Sequence, residues 1–243
     1  AQVALLAASP AYNADSGMSW AQAADYAAVV LDHIGGIGGI DANGWKWFDN
    51  HEEIDNLKAG VDPKEIVWRA SRGSNNDLES NNYPPSLYGS GRVNPTQNLV
   101  DAFPMANGYP ITDANSGYNA DNPYADRDPR LAAYILLNES TIGSAGSTIT
   151  TGVYGTNRDA LNRESGSSTR TGYYLRKLLR SDINLDPSNS TTQNHYLARI
   201  RYTEIFLAYA EAANEAWGPT GRGSHGYSAY DVVKALRARA GVG

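Results

Sequence analysis

Apolar residues recur at helical spacing near the start of the chain. From Trp20 to Ile34 the apolar positions lie three or four residues apart, which predicts a helix with one buried face. Ser19 and Gln22 have the spacing of a capping box, in which each side chain bonds the other residue's backbone N–H. A helix over roughly residues 1–13 precedes it, so we predict a helical hairpin over about residues 1–35.

The same spacing returns near the end of the chain. Apolar and alanine positions share one helical face from about Arg199 to Trp217, and Ser228 begins a further helix. Small residues such as Ala212 and Ala213 allow two helices to approach closely, as in tetratricopeptide-like (TPR-like) stacks. The pattern predicts a second helical hairpin over about residues 199–241.

The region from about residue 36 to 195 is rich in Gly, Asn, Asp, Ser, Pro and Tyr, a composition that is typical of turns and loops. The short elements predicted there are strands over Glu65–Arg69 and Thr148–Tyr154 and helices over Leu99–Phe103 and Pro129–Leu137. We therefore expect a mainly α single domain over residues 1–243, with TPR-like helical hairpins supporting a large loop-rich region with a few short strands. Long irregular segments in compact domains are usually functional, so we place the ligand-facing surface in this region.

Composition and charge narrow the function. Hydrophobic residues make up 41% of the chain, which is enough for a sizeable core. The net charge of −6 argues against a nucleic-acid partner, because phosphate binding needs a basic surface. The absence of cysteine excludes a disulfide scaffold, a thiolate metal site and a cysteine nucleophile within this chain.

Motifs of catalysis are missing from the sequence. His51-Glu52-Glu53-Ile54-Asp55 lacks the second histidine of a zinc-protease helix, and neither a GxSxG elbow nor a Walker A motif occurs. Asp113 to Asp121 alternates like the start of a calcium loop, but Tyr118 stands where an EF-hand needs glycine. We expect no catalytic residue, no metal ligand and no cofactor.

Two charged features have other interpretations. The run Asp126 to Arg130 is interpreted as an Arg–Asp network that pins a loop to the helices. Acidic residues such as Glu52 and Glu65 could form a glycosidase carboxylate pair, but spacing along the sequence does not test this.

Aromatic composition points to a recognition surface. The chain has 16 Tyr and five Trp but three Phe, and Tyr and Trp combine an apolar ring with a polar group. The best predicted ligand site is the segment Gly73–Arg92, with Trp45 and Trp47 as a second candidate and Trp68 assigned to the core. The candidate ligand-binding residues of the segment are Asn75, Asn76, Asn81, Asn82, Tyr83 and Tyr88. Prolines 84 and 85 would hold a tyrosine ring outward; alternatively, one or both rings pin the loop to the body.

Several segments together resemble the SusD/RagB family of nutrient-binding proteins. The strongest likeness is the helix Arg199–Ala212, followed by the Arg-rich segment Ala235–Val242. The other segments that resemble family motifs are Ala7–Asn13, Pro95–Gly108, Asp121–Leu131 and Thr171–Lys177. Their order and spacing cover nearly the whole chain.

The resemblance implies a mainly helical fold and a non-catalytic function. It implies capture of an oligosaccharide or polysaccharide at the Gram-negative cell surface and delivery to a SusC-like TonB-dependent outer-membrane transporter. It also implies a lipid anchor in the full-length protein, upstream of this chain. Because family members are usually much longer, we expect parts at both ends to be missing here.

Three alternatives stay open. Some family members bind peptides, so a peptide is a possible ligand within the same family. A glycoside hydrolase would instead turn over a glycan with a carboxylate pair. A plain helical-repeat scaffold for protein partners would bind no small ligand.

Overall fold

The computed structural model describes residues 1–58, 60–70, 73–153 and 157–243. The helices are α1 Gln2–Ala8, α2 Asn13–Ser16, α3 Trp20–Asp32, α4 His51–Asp55, α5 Asp77–Asn82, α6 Gln97–Ala102, α7 Pro129–Tyr134, α8 Tyr202–Trp217 and α9 Ala229–Arg239. Short 3₁₀ helices cover Gly36–Gly39, Gly44–Asp49 and Pro85–Leu87. The strands are β1 Ile66–Arg69, β2 Gly73–Asn75, β3 Ile135–Leu136, β4 Ser140–Ile142, β5 Ser147–Ile149, β6 Tyr174–Leu175, β7 Gln193–His195 and β8 Ala198–Arg201. The mainly α fold class with a few short strands is confirmed.

The chain forms two compact units. The first unit comprises Ala1–Trp45, Lys58–Ala70 and Ala198–Ala240. The second unit comprises Lys46–Leu57, Ser71–Leu197 and Gly241–Gly243. Within the described ranges, no helix has both the length and the apolar composition needed to cross a lipid bilayer.

The first unit is built on close helix packing. Helices α3 and α8 make its most extensive contact, and α1 and α9 pack beside them. The buried residues at these contacts are largely alanines, including Ala24 and Ala28 of α3 and Ala212 and Ala213 of α8. Small side chains bring helix backbones close, so the alanine pattern of the sequence accounts for this packing.

The predicted capping box of α3 is present, and a second capping box starts α9. Ser19 and Gln22 cap the start of α3, and Ser228 and Asp231 cap the start of α9. Each box pairs a side-chain oxygen with an N–H group that the first helical turn leaves without a partner. The starts of these two helices are therefore encoded locally.

A buried carboxylate joins three segments of the first unit. Glu65 lies just before β1, is 1% exposed, and accepts hydrogen bonds from the backbone and hydroxyl of Thr203 in α8. Arg201 and Arg239 bring guanidinium nitrogens to 3.5 and 3.3 Å from its oxygens. Burial raises the pKa of Glu65, and the Thr203 hydroxyl and the two guanidinium groups counteract that rise.

The second unit combines short antiparallel ribbons with irregular chain. Within it, β2 pairs with β7, β3 with β6 and β4 with β5. One hydrophobic cluster lies under the β4–β5 hairpin and contains Tyr83, Leu136, Ile142, Ile149, Tyr174 and Leu179. These ribbons make a scaffold on which the loops of the unit are fixed.

The predicted Arg–Asp network has two separate parts. Arg127 is 7% exposed and donates to the backbone carbonyls of Pro123, Val100 and Phe103 at 2.7–2.8 Å. Arg130 pairs with the buried Asp128, which also caps the start of α7. Arg127 thus pins the loop as expected, but through carbonyl oxygens and not through a carboxylate.

Two helices are shorter in the structure than the sequence predicts. Helix α1 ends at Ala8, because Ser9 precedes a proline and adopts the extended conformation that this position favours. The helix predicted over Pro129–Leu137 ends at Tyr134, because Ile135 and Leu136 pair with Leu175 and Tyr174 across the β3–β6 ribbon. A ladder formed with residues distant in sequence determines the second boundary.

Candidate functional site

The asparagines of the predicted ligand segment bond mainly to their own chain. Asn81 and Asn82 donate to the backbone carbonyls four residues earlier in α5, at 2.6 and 2.8 Å. Asn76 donates to the Thr191 carbonyl at 2.9 Å and to the Ser190 hydroxyl at 3.2 Å. Asn75 accepts a hydrogen bond from the Asp77 N–H. These contacts use the side chains to shape the segment, and their role toward a ligand stays a prediction.

Tyr83 is a core residue, which corrects the expectation of an outward ring at this position. It is 1% exposed and belongs to the cluster under the β4–β5 hairpin. Its hydroxyl donates to the Arg180 carbonyl, and burial raises its pKa. The ring can be buried because its one polar group has found a partner.

Tyr88 has the opposite environment. It is 53% exposed and follows the 3₁₀ helix Pro85–Leu87 with φ of 64°, a left-handed conformation that is uncommon for a residue with a side chain. The turn is anchored by Ser86, whose backbone N–H and hydroxyl donate to the two oxygens of Asp159 at 2.8 and 2.6 Å. An exposed aromatic side chain on a fixed turn is preorganised for contact with a ligand.

Tyr88 lines a small pocket within the second unit. Its volume is about 240 Å³, and it is bounded by Leu87 and Tyr88, by Gly143–Ala145 and by Ile183–Asp186, with Tyr83 at its buried side. The Gly143–Ala145 wall belongs to the turn between β4 and β5, where Gly143 and Gly146 have φ of 85° and 63°. We call this site the Tyr88 pocket.

The polar wall of the Tyr88 pocket is held by local hydrogen bonds. The backbone N–H of Asn184 donates to the Thr191 hydroxyl, and the Asn184 side-chain oxygen accepts the Asp186 N–H, both at 2.9 Å. Asp186 Oδ1 accepts from the backbone N–H and the hydroxyl of Ser188 at 2.9 and 2.7 Å. These two bonds lower the pKa of Asp186, which keeps a carboxylate at the pocket at neutral pH.

The two tryptophans of the second candidate site have different environments. Trp47 is 7% exposed, stacks on Tyr196 at 5.1 Å between ring centroids and meets Phe48 edge-on at 5.9 Å. It is a packed core residue of the second unit, so the expectation of a binding platform there is corrected. Trp45 is half-buried and belongs to the first unit.

Trp68 is exposed, although the sequence assigns it to the core. It is 60% exposed on β1, where the pairing with β8 has an irregular register between Ile66 and Trp68. Regular alternation would place these two residues on one face. The irregularity breaks the alternation, so that Ile66 stays buried while Trp68 faces solvent.

A buried charge network supports the β2–β7 side of the second unit. Arg180 is 1% exposed and pairs through two nitrogens with each of Asp55 and Asp182, at 2.6–3.0 Å. Nearby, the fully buried Glu79 accepts from the Arg180 backbone N–H at 2.8 Å and lies 3.1 Å from His195 Nε2. The Glu79 hydrogen bond raises the pKa of His195.

These ionisable groups are arranged as structural pairs. Among the residues that the structure describes, no group of three or more His, Asp or Glu side chains lies together in a way that could hold a metal ion. The buried guanidinium of Arg180 is satisfied by the partly exposed carboxylates of Asp55 and Asp182, which fixes the loops that they join.

Sequence comparison assigns the chain to a known family. The model of the SusD family matches residues 64–243. The chain belongs to the SusD family. This match confirms the resemblance that the sequence motifs indicate. A search of curated protein sequences found no significant match.

Solved structures give the same fold. A SusD-like carbohydrate binding protein from Bacteroides fragilis is 22% identical, with a TM-score of 0.63, and the match covers 92% of this chain and 41% of that protein. A second SusD-like protein from Bacteroides fragilis is 23% identical, with a TM-score of 0.59, and the match covers 93% of this chain and 47% of that protein. This SusD-family chain thus spans less than half the length of these proteins.

Proposed function

We propose that this SusD-family chain is part of a non-catalytic, cell-surface protein that binds an oligosaccharide or polysaccharide. The observation that carries the proposal is the Tyr88 pocket, where an exposed aromatic side chain stands beside amide, hydroxyl and carboxylate groups. A sugar ring has an apolar face and a rim of hydroxyls, and this combination complements both. The Bacteroides fragilis protein of similar fold is described as carbohydrate binding, which supports the same ligand class here.

The size of the pocket suggests how a glycan would bind. At about 240 Å³ it is smaller than pockets that enclose drug-sized ligands, which begin at roughly 300 Å³. It would hold one or two sugar rings of a longer chain while the rest stays in solvent. This mode suits a protein that captures a polymer and passes it on.

Delivery is the second part of the proposal. We propose that the full-length protein is held at the outer membrane by an upstream lipid anchor and passes the glycan to a SusC-like TonB-dependent transporter. Family membership supports this part. Co-purification of the full-length protein with a barrel encoded beside it tests the partnership.

The test of ligand binding compares two tyrosines of similar exposure. The ligand is the glycan that binds most tightly in a screen of a glycan panel. Tyr88→Ala should weaken its binding by about fivefold, because an aromatic contact contributes roughly 1 kcal/mol. Tyr230→Ala is the matched control, since Tyr230 is 56% exposed and belongs to α9 of the first unit. Isothermal titration calorimetry of the parent and both variants gives the three affinities.

The outcomes separate the candidate functions. An equal loss of glycan affinity in both variants, or no loss in Tyr88→Ala, would show that the Tyr88 pocket is not the binding site. Binding of peptides without any glycan would favour the peptide-binding alternative. Release of shorter sugars from a bound glycan would contradict the non-catalytic assignment.

A further inference from the structure

The charge at the described wall of the Tyr88 pocket is negative. Asp186 is the only ionised side chain among the described residues that line it. Its Oδ1 is occupied by Ser188, and within the described chain no donor contacts Oδ2. A ligand that enters the pocket therefore meets a carboxylate oxygen that is free to accept a hydrogen bond.

Two guanidinium groups of the second unit, those of Arg158 and Arg180, are paired with carboxylates. Arg158 bonds Glu164 at 2.6 Å, and Arg180 lies between Asp55 and Asp182. Neither guanidinium lines the pocket, and the chain as a whole carries a net charge of −6. An anionic ligand would thus find no cation among the described lining residues. The electrostatic field of the chain's net negative charge would also repel it.

The other groups at the wall suit hydroxyls. The Asn184 side-chain oxygen accepts a hydrogen bond from the Asp186 N–H. The N–H₂ group of the same amide therefore points away from Asp186 N–H and can donate to a ligand. Ser144 on the facing turn adds a hydroxyl that can donate or accept. A carboxylate acceptor beside an amide donor matches two neighbouring hydroxyls of a sugar.

We infer that the Tyr88 pocket selects glycans with uncharged rings and discriminates against uronate or sulfate groups, through the carboxylate of Asp186. This inference rests on the proposed function and specifies its substrate class. Two like charges a few ångströms apart repel more strongly near a protein surface than in bulk water, because the surface has a lower effective dielectric constant. Anionic rings should accordingly bind at least about tenfold more weakly than their neutral counterparts.

The experiment uses a pair of ligands that differ in charge. The tightest neutral oligosaccharide from a glycan panel is compared with the same oligosaccharide after oxidation of its C6 hydroxymethyl groups to carboxylates. Calorimetry with the parent protein at low salt should show at least about a tenfold loss on oxidation. The loss should shrink in about 0.5 M NaCl, where the Debye length falls to roughly 4 Å.

Variants separate repulsion from a lost hydroxyl contact. Asp186→Asn keeps an oxygen that can accept from Ser188, so the turn is retained while the charge is removed. We expect this variant to bind the oxidised ligand nearly as well as the neutral one. Asp113→Asn is the control, because Asp113 shapes a similar turn by accepting the Asn115 N–H but does not line the pocket.

Four results would overturn the inference. Equal affinity of the parent for both ligands would do so, as would an unchanged penalty in Asp186→Asn. Binding of anionic glycans alone would reject the inference but keep glycan binding. A panel that shows no bound glycan at all would reject the proposed function, and the inference with it.

Discussion

Tyr83 and Tyr88 stand five residues apart and should respond in opposite ways to substitution. Tyr83 is 1% exposed within the cluster under the β4–β5 hairpin, whereas Tyr88 is 53% exposed. Tyr83→Ala would remove a buried ring and leave a cavity, which typically costs about 3–5 kcal/mol for an aromatic residue. Tyr88→Ala should change the free energy of unfolding by no more than roughly 0.5 kcal/mol.

Tyr83→Phe divides the larger effect into its parts. The phenyl ring keeps the packing but leaves the buried Arg180 carbonyl without its donor. An unpaired buried acceptor costs about 1–3 kcal/mol, so this variant should lie between the parent and Tyr83→Ala. Because Tyr83 has this structural role, a joint substitution of both tyrosines would confuse loss of fold with loss of binding.

Urea unfolding followed by circular dichroism measures these free energies. The expected order of stability is parent and Tyr88→Ala together, then Tyr83→Phe, then Tyr83→Ala. A Tyr83→Ala protein as stable as the parent would show that the ring does not belong to a packed core. A strongly destabilised Tyr88→Ala protein would show that its exposed ring has a structural function.

Three further predictions concern stability, pH and catalysis. Ala212→Leu should overpack the buried surface of α8 and cost about 1–3 kcal/mol, while Ala238→Leu at an exposed position of α9 should leave the melting temperature nearly unchanged. His195, whose pKa is raised by Glu79, should stabilise the fold below its ordinary pKa of 6.5 and lose this contribution as pH rises through the higher folded value. His195→Gln should flatten this fall in unfolding free energy above pH 6.5, and an equally steep fall in the variant would contradict the assignment. Incubation of the purified protein with its bound glycan should yield no new reducing ends, and steady turnover would refute the non-catalytic assignment.

Much of the helical part of the fold follows from the sequence alone. The capping residues Ser19 and Ser228 lie next to the helices that they start, and apolar positions at helical spacing run through α3 and α8. Such signals are local, because a cap or a helical face involves residues a few positions apart. The motifs that resemble the SusD family are also short and follow one another in linear order, so the amino-acid sequence by itself indicates the family.

The tertiary structure decided which aromatic side chains face solvent. Tyr83 and Tyr88 share one Asn- and Pro-rich segment, yet only Tyr83 is buried, with its hydroxyl bonded to Arg180, 97 residues away. Trp47 is covered by Tyr196, which is also distant in sequence, and Trp68 is exposed by an irregular register with β8. The Tyr88 pocket likewise joins three segments that are far apart along the chain. No local pattern encodes these contacts, because burial of a loop residue depends on which remote segment packs against it.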